Sequence, residues 1–144
     1  MIKVTLIFIV MLAGAAVVFD FRTFHIPNRL NFLGFVTGVI YNLIQYGFGE
    51  AGKSILWSVI TIAALFVLYV SGVLGAGDIK LYAALSTFVH MKIIYIIAVS
   101  FVAAALYGVL LVLKRGGGIL RERTRIHMSL PVFVGVLLCG AGFL

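Results

Sequence analysis

Of the 144 residues only four are acidic, Asp20, Glu50, Asp78 and Glu122. Two of these stand where a carboxylate is hardest to accommodate. Asp78 follows two glycines in Gly75-Ala76-Gly77-Asp78-Ile79-Lys80, between two long apolar runs, and Asp20 comes directly after the first apolar run. An acid beside or inside a lipid-facing segment is costly, which makes it a functional candidate. Two carboxylates brought together cannot both ionise easily, so one holds a proton and the other does not. A water between them loses a proton to the charged partner while the neutral one donates to a carbonyl oxygen. That is the chemistry of peptide hydrolysis without metal, cofactor or covalent intermediate.

Other site chemistries find less material. The single cysteine, Cys139, leaves no partner for a disulfide within the chain and no cysteine-based zinc site. It sits in an apolar run and is expected to act as a small hydrophobe. His25, His90 and His127 fall at different loop edges, with His90 expected on the opposite face from the aspartates. Neither a metal-ligand cluster nor a Ser–His–Asp arrangement is therefore expected.

The elements that must position the aspartates follow from composition. With 64% hydrophobic and 10% charged residues the chain departs from soluble domains, where about a quarter of residues are charged. Lipid is the expected solvent for its outer surface, and residues 1–144 are read as one transmembrane domain. A net charge of +7 raises the possibility of nucleic acid. The basic residues fall between apolar runs without interleaved aromatics, so membrane topology accounts for them and no nucleic-acid partner is expected.

The uncharged runs are Val4–Phe19, Leu30–Phe48, Ser54–Gly77, Leu81–Met91, Ile93–Leu113 and Ser129–Leu144. Spanning a bilayer as a helix takes about 20 residues. The second, third and fifth runs qualify outright. The first and sixth, of 16 residues each, can borrow flanking residues or thin the bilayer locally. The fourth holds 11 residues, about 17 Å of helix against a hydrocarbon core of ~30 Å. The fourth helix is therefore expected to include Asp78 and Lys80. The result is an all-α protein of six transmembrane helices. The first run with Ala13-Gly14-Ala15 has some features of a cleavable signal, yet Ala16-Val17-Val18-Phe19 continues apolar past the cut, so it is expected to be retained.

Six spans put Arg22, Arg29, Lys80, Lys114, Arg115, Arg121, Arg123 and Arg125 on one side, and Lys3, Lys53 and Lys92 on the other. The excess marks the cytoplasmic face. Asp20 and Asp78 then share the cytoplasmic edge, and both chain ends lie outside. Pro27 stops any continued helix and Asn28 is placed to cap the second. Ser129 with Pro131 repeats that start signal before the sixth. Gly34 and Gly38 form a small-xxx-small face read as packing only. The basic, glycine-rich stretch from Lys114 to His127 reads as a solvated loop near anionic lipid.

Each aspartate also has a plainer reading. Asp78 after Gly77 is a plausible N-cap, and Asp20 can simply end the first helix in water. Proton relays in transporters use intramembrane acids too. On these grounds alone, a small proton-coupled transporter subunit with the aspartates as a relay stands beside a peptidase.

The residues themselves resemble a family. Gly75-Ala76-Gly77-Asp78-Ile79-Lys80 is similar to the G-x-G-D-x-K of the type IV prepilin peptidases, which are G-x-G-D membrane aspartyl proteases. Asp20-Phe21-Arg22-Thr23-Phe24-His25-Ile26-Pro27-Asn28 resembles that family's other signature, and Leu130-Pro131 with Gly135 a weaker third one. The resemblance implies cleavage of the basic cytoplasmic leader of prepilin-like proteins in the cell (inner) membrane, with Asp20 and Asp78 as the catalytic pair. It implies that Arg22, Pro27, Asn28, Gly75, Gly77 and Lys80 shape the site, that no cofactor or metal is needed, and that the partners are a prepilin-like substrate and membrane lipid. The first span begins almost at Met1 and no Cys-x-x-Cys is present. The chain is therefore similar to the short peptidases of tight-adherence (Flp) pilus systems, which lack the methyltransferase domain.

Helix polarity adds one expectation. Asp20 is expected after the C-terminal end of its helix and Asp78 at the N-terminal end of another, where the backbone dipole favours negative charge. Asp78 is thus the expected base and Asp20 the expected acid of a pair that titrates as a unit.

Overall fold

A computed structural model describes residues 2–23, 25–114 and 128–143 of the chain. Among them are six α-helices and no strand: α1 (Ile2–Thr23), α2 (Asn28–Tyr46), α3 (Phe48–Val70), α4 (Ala76–Val89), α5 (Ile93–Lys114) and α6 (Ser129–Phe143). A short 3-10 turn, His90–Lys92, joins α4 to α5. Six apolar runs have become six helices. Residues 115–127, which hold most of the basic glycine-rich loop together with Glu122 and His127, lie outside the described residues, as does Phe24.

Helix ends differ from the sequence expectations for local reasons. Helix α1 runs on past Phe19, so Asp20 lies in its last turn rather than beyond its end. Helix α2 gives up Phe48 to α3 because Gly47 between them takes a φ of 86°, a left-handed backbone that glycine adopts without Cβ strain. Helix α3 starts six residues earlier than its uncharged run, because Glu50 sits favourably in the first turn and pairs with Lys53 at i, i+3. It ends at Val70, where Val73 N and Leu74 N turn back to Leu68 O. Gly72, at φ 73°, makes that turn.

Helix α4 is the hub. Every residue from Leu81 to Val89 is buried, as expected of a helix that is apolar all round. Contacts fix the directions of its neighbours. Asn31 reaches Gly77 and Asn42 reaches Thr87, so α2 runs parallel to α4. Phe8 stacks on Phe88 at 5.8 Å and Ser54 meets His90, so α1 and α3 run antiparallel to it. Phe133 lies beside Gly14 and Leu6 beside Gly140, so α6 runs antiparallel to α1.

Small residues set the closest approaches. A methyl group on Gly38 would collide with the Thr87 side chain, and one on Gly135 with Ser100 and the Ile96 carbonyl. Without a hydrophobic drive between helices in lipid, such backbone proximity and interhelical hydrogen bonds are what hold a bundle together. Asn42 supplies one of those bonds, donating from Nδ2 to Gly38 O at 2.8 Å and Thr87 O at 2.9 Å.

The outer surface is apolar. Ile44, Val70 and Leu113 are each at least 70% exposed, alongside Phe32, Leu33 and Val67. So much apolar surface calls for lipid rather than water. Three stretches are long and apolar enough to cross a bilayer: Val4–Thr23, Phe48–Val70, and Ala76–Leu111 taken through the 3-10 turn. Helix α2 and the shorter apolar stretch Ser129–Gly140 do not meet that measure by themselves.

Candidate active site

The two aspartates come from antiparallel helices packed against each other. Asp20 occupies the last turn of α1 and Asp78 the first turn of α4, so both lie at one end of the bundle. Both are partly buried, and they are within electrostatic reach of each other. The first turn of α4 is built around the Asp78 side chain. Gly75 is its N-cap, and Gly75 N donates to Asp78 Oδ2 at 3.3 Å. Asp78 is therefore not the N-cap itself but the third residue of the helix, as a carboxylate at the positive end of the dipole should be.

The two glycines have separate local reasons. Gly75 is extended at φ −77°, a conformation open to any residue. A Cβ there would stand 3.0 Å from Asp78 Oδ2, so its bareness makes room for the carboxylate. Gly77 makes room for a neighbouring segment, since a Cβ would stand 3.4 Å from the Cβ of Ile26.

Around this turn the segments 26–31 and 75–80 interlock. Ile26, 4% exposed, rests on Gly77. Pro27 O accepts from Leu30 N at 3.0 Å and opens α2. Asn28 does not cap α2 as expected. It is the first helical residue, Pro27 holds the cap position, and Asn28 Oδ1 instead accepts from Lys80 Nζ at 2.8 Å. Asn31 Nδ2 donates to Gly77 O at 3.2 Å. Pro27, Asn28, Gly75, Gly77 and Lys80 are thus brought together. Arg22 lies exposed beyond Asp20 on the same turn of α1 and takes no part in these bonds.

Two participants escaped the sequence reading. Ser129, fully buried, donates from Oγ to Asp20 Oδ2 at 2.5 Å, yet it reads in sequence only as a helix start. Its signal was positional, since the start of the sixth run falls on the same membrane side as Asp20. Asn31 carries no signal in the sequence beyond being a polar residue in an apolar run.

The opposite end of α4 carries a group the sequence reading excluded. Ser54 Oγ lies 3.0 Å from His90 Nε2, and His90 Nδ1 lies 4.0 Å from Glu50 Oε2, beside a cavity of about 310 Å³. The order is that of a Ser–His–acid triad. The serine, however, is completely buried and is also bonded to Glu50 O at 3.0 Å, so no substrate carbonyl can reach it. The trio fastens α3 to the end of α4. Among the described residues no group of three or more His, Cys, Asp or Glu side chains could hold a metal ion.

Comparison with known proteins identifies a family. A model of the type IV leader peptidase family matches residues 6–111, a stretch that contains Asp20, Asp78 and the whole interlock but stops before α6. No curated protein and no solved structure matches the chain significantly.

Proposed function

The chain belongs to the type IV leader peptidase family, and from that premise we propose that it is an aspartic endopeptidase that removes the cytoplasmic leader of type IV prepilin-like proteins. The observation that supports this reading is that Asp20, in the last turn of α1, and Asp78, in the first turn of α4, lie at one end of the bundle, close enough to interact electrostatically.

In the proposed reaction a water lies between the two carboxyl groups. The ionised carboxylate takes a proton from it as the oxygen attacks the scissile carbonyl carbon. The protonated carboxyl gives its proton to the carbonyl oxygen, leaving a neutral gem-diol. As the diol collapses and the C–N bond breaks, one diol hydroxyl gives its proton to the ionised carboxylate while the departing nitrogen takes the proton of the other carboxyl, so the pair ends with the single proton it began with. That proton belongs to the pair rather than to either residue. Ser129 holds Asp20, the Gly75 N–H holds Asp78, and the Asn28–Lys80 bond ties the start of α2 to the first turns of α4, which carry Asp78.

The proposed setting is the cell membrane with all six helices spanning, the aspartates at the cytoplasmic edge and both termini outside. The alternation of helix directions and the basic-residue asymmetry support it. No finding favours the relay reading. The test is leader cleavage by the membrane-inserted protein. Wild type is expected to shorten a prepilin-like substrate, and Asp20→Asn and Asp78→Asn are each expected to abolish this while inserting normally. Cleavage that survives either substitution would overturn the proposal.

A further inference from the structure

At the end of the bundle opposite the aspartates, the hydrogen bonds around His90 decide which of its ring nitrogens carries the proton. The Ser54 hydroxyl has one hydrogen, and it goes to Glu50 O, a carbonyl that can only accept, at 3.0 Å. Ser54 Oγ must then accept from His90 Nε2–H across the 3.0 Å between them. At neutral pH most histidine is uncharged, so Nδ1 is left with a lone pair.

That lone pair faces a second acceptor. His90 Nδ1 lies 4.0 Å from Glu50 Oε2. Two electron-rich atoms across such a gap repel unless something positive stands between them. Lys53 does not fill the gap, because its ammonium is bonded to the other carboxylate oxygen, Oε1, from an exposed position. The gap is close to the sum of a metal–nitrogen bond of about 2.0–2.1 Å and a metal–oxygen bond of about 2.0–2.2 Å. The Glu50 side chain is 33% exposed, so it can swing in and bend the angle at an ion towards tetrahedral.

The cavity of about 310 Å³ beside these groups offers room for the other ligands, and Asn42 lines it together with Glu50 and His90. Asn42 is 3% exposed, and its Nδ2 donates to both Gly38 O and Thr87 O. Only Oδ1 of its amide is left for the cavity, as an acceptor. Among the described residues the buried side-chain atoms without a partner are Asn31 Oδ1 and Tyr82 Oη. Asn42 Oδ1 and His90 Nδ1 are therefore not sealed off, and the cavity is what they open on.

We propose that His90 Nδ1 and Glu50 Oε2 bind a divalent transition-metal ion of the Zn²⁺ kind, with water completing its shell and Asn42 Oδ1 accepting from one of those waters. An imidazole nitrogen beside a carboxylate oxygen suits Zn²⁺, whereas Mg²⁺ takes oxygen throughout. The bond from Nε2–H to Ser54 is the outer support that metal-binding histidines have. Two protein ligands make a weak, exchangeable site. The ion joins the first turn of α3 to the turn after α4, and its binding adds to the stability of the bundle. The site is remote from the aspartates and does not rest on the peptidase reading.

The test is Zn²⁺ binding to the full chain in lipid nanodiscs, followed by isothermal titration and thermal unfolding. His25→Gln and His127→Gln form the background, which leaves His90 as the one histidine. One Zn²⁺ per chain is expected to bind in the micromolar range and to raise Tm, with no such rise from Mg²⁺. His90→Gln and Glu50→Gln should each weaken binding about tenfold or more. Ser54→Ala keeps both ligands, yet by freeing the ring it should weaken binding about tenfold as well. Zn²⁺ that does not bind the background, or that binds His90→Gln or Glu50→Gln as tightly, would overturn the inference. Should His90→Gln fail to insert, Glu50→Gln carries the test, since it changes charge without shape at a partly exposed position.

Discussion

Ser129 and Asp20, 109 residues apart, are joined by a hydrogen bond from the serine Oγ to the carboxylate Oδ2, which ties the start of α6 to the last turn of α1. The sixth helix thereby enters the candidate site although the family match ends before it. A hydroxyl bonded to a carboxyl oxygen fixes that oxygen's position as well as adding to stability. Ser129→Ala is expected to lower kcat/KM for leader cleavage about ten- to a hundredfold, and Ser129→Thr to restore most of it. Equal loss in both variants, measured on protein of the same thermal stability, would argue against a hydroxyl contact.

Gly75 and Gly77 should respond differently to an added methyl group. At Gly75 the methyl would press on Asp78 Oδ2, whereas at Gly77 it meets Ile26 at near-ordinary contact distance. Gly75→Ala is expected to cut kcat on the order of ten- to a hundredfold with little change in Tm, since small misplacements of a reacting group carry large rate penalties. Gly77→Ala should be milder in rate. Kinetics and thermal unfolding on the two variants side by side would show the contrast or its absence.

The Lys80–Asn28 bond links residues of the two signatures, but both side chains are exposed. Its contribution should be modest, about three- to fivefold in kcat/KM for Lys80→Met or Asn28→Ala. Because the two act as one contact, the double variant should be no worse than the poorer single one. Multiplying losses would mean that each residue works independently.

Packing between α2 and α4 can be tested apart from catalysis. A side chain at Gly38 collides with Thr87, so Gly38→Val is expected to destabilise the bundle by about 1–3 kcal/mol. A methyl group at Gly52 in α3 would meet nothing within 4 Å. Gly52→Ala should therefore be neutral, or stabilising by up to about 1 kcal/mol through helix propensity. Thermal unfolding in detergent separates the two.

Ser54, His90 and Glu50 offer a control. If the trio only fastens α3 to α4, Ser54→Ala should lower stability by about 1 kcal/mol and leave leader cleavage within about twofold of wild type. Loss of cleavage without loss of stability would give Ser54 a role in the reaction.

Run lengths and charge positions alone pointed to an all-helical membrane protein with a carboxylate at one end of the first and fourth helices. That much is legible because lipid is a uniform solvent, and each helix answers to it separately through its own apolar length. Local chemistry also showed through in the pairing of Asp78 with a glycine-flanked helix start. Some helix ends did not show, because Gly47 and Gly72 take left-handed turns inside stretches that read as continuous apolar runs.

What only the tertiary structure decided is who meets whom. Asn28 has the residue type of a cap, but Lys80 lies within 2.8 Å and takes its oxygen instead. Ser129 became a partner of Asp20, Asn31 a clamp on Gly77, and Ser54 a neighbour of His90, each across 36 or more residues of sequence. Hydrophobic length is a property a helix carries by itself. A hydrogen bond between helices depends on the rotation and depth at which two of them pack, and no single run of residues contains that information.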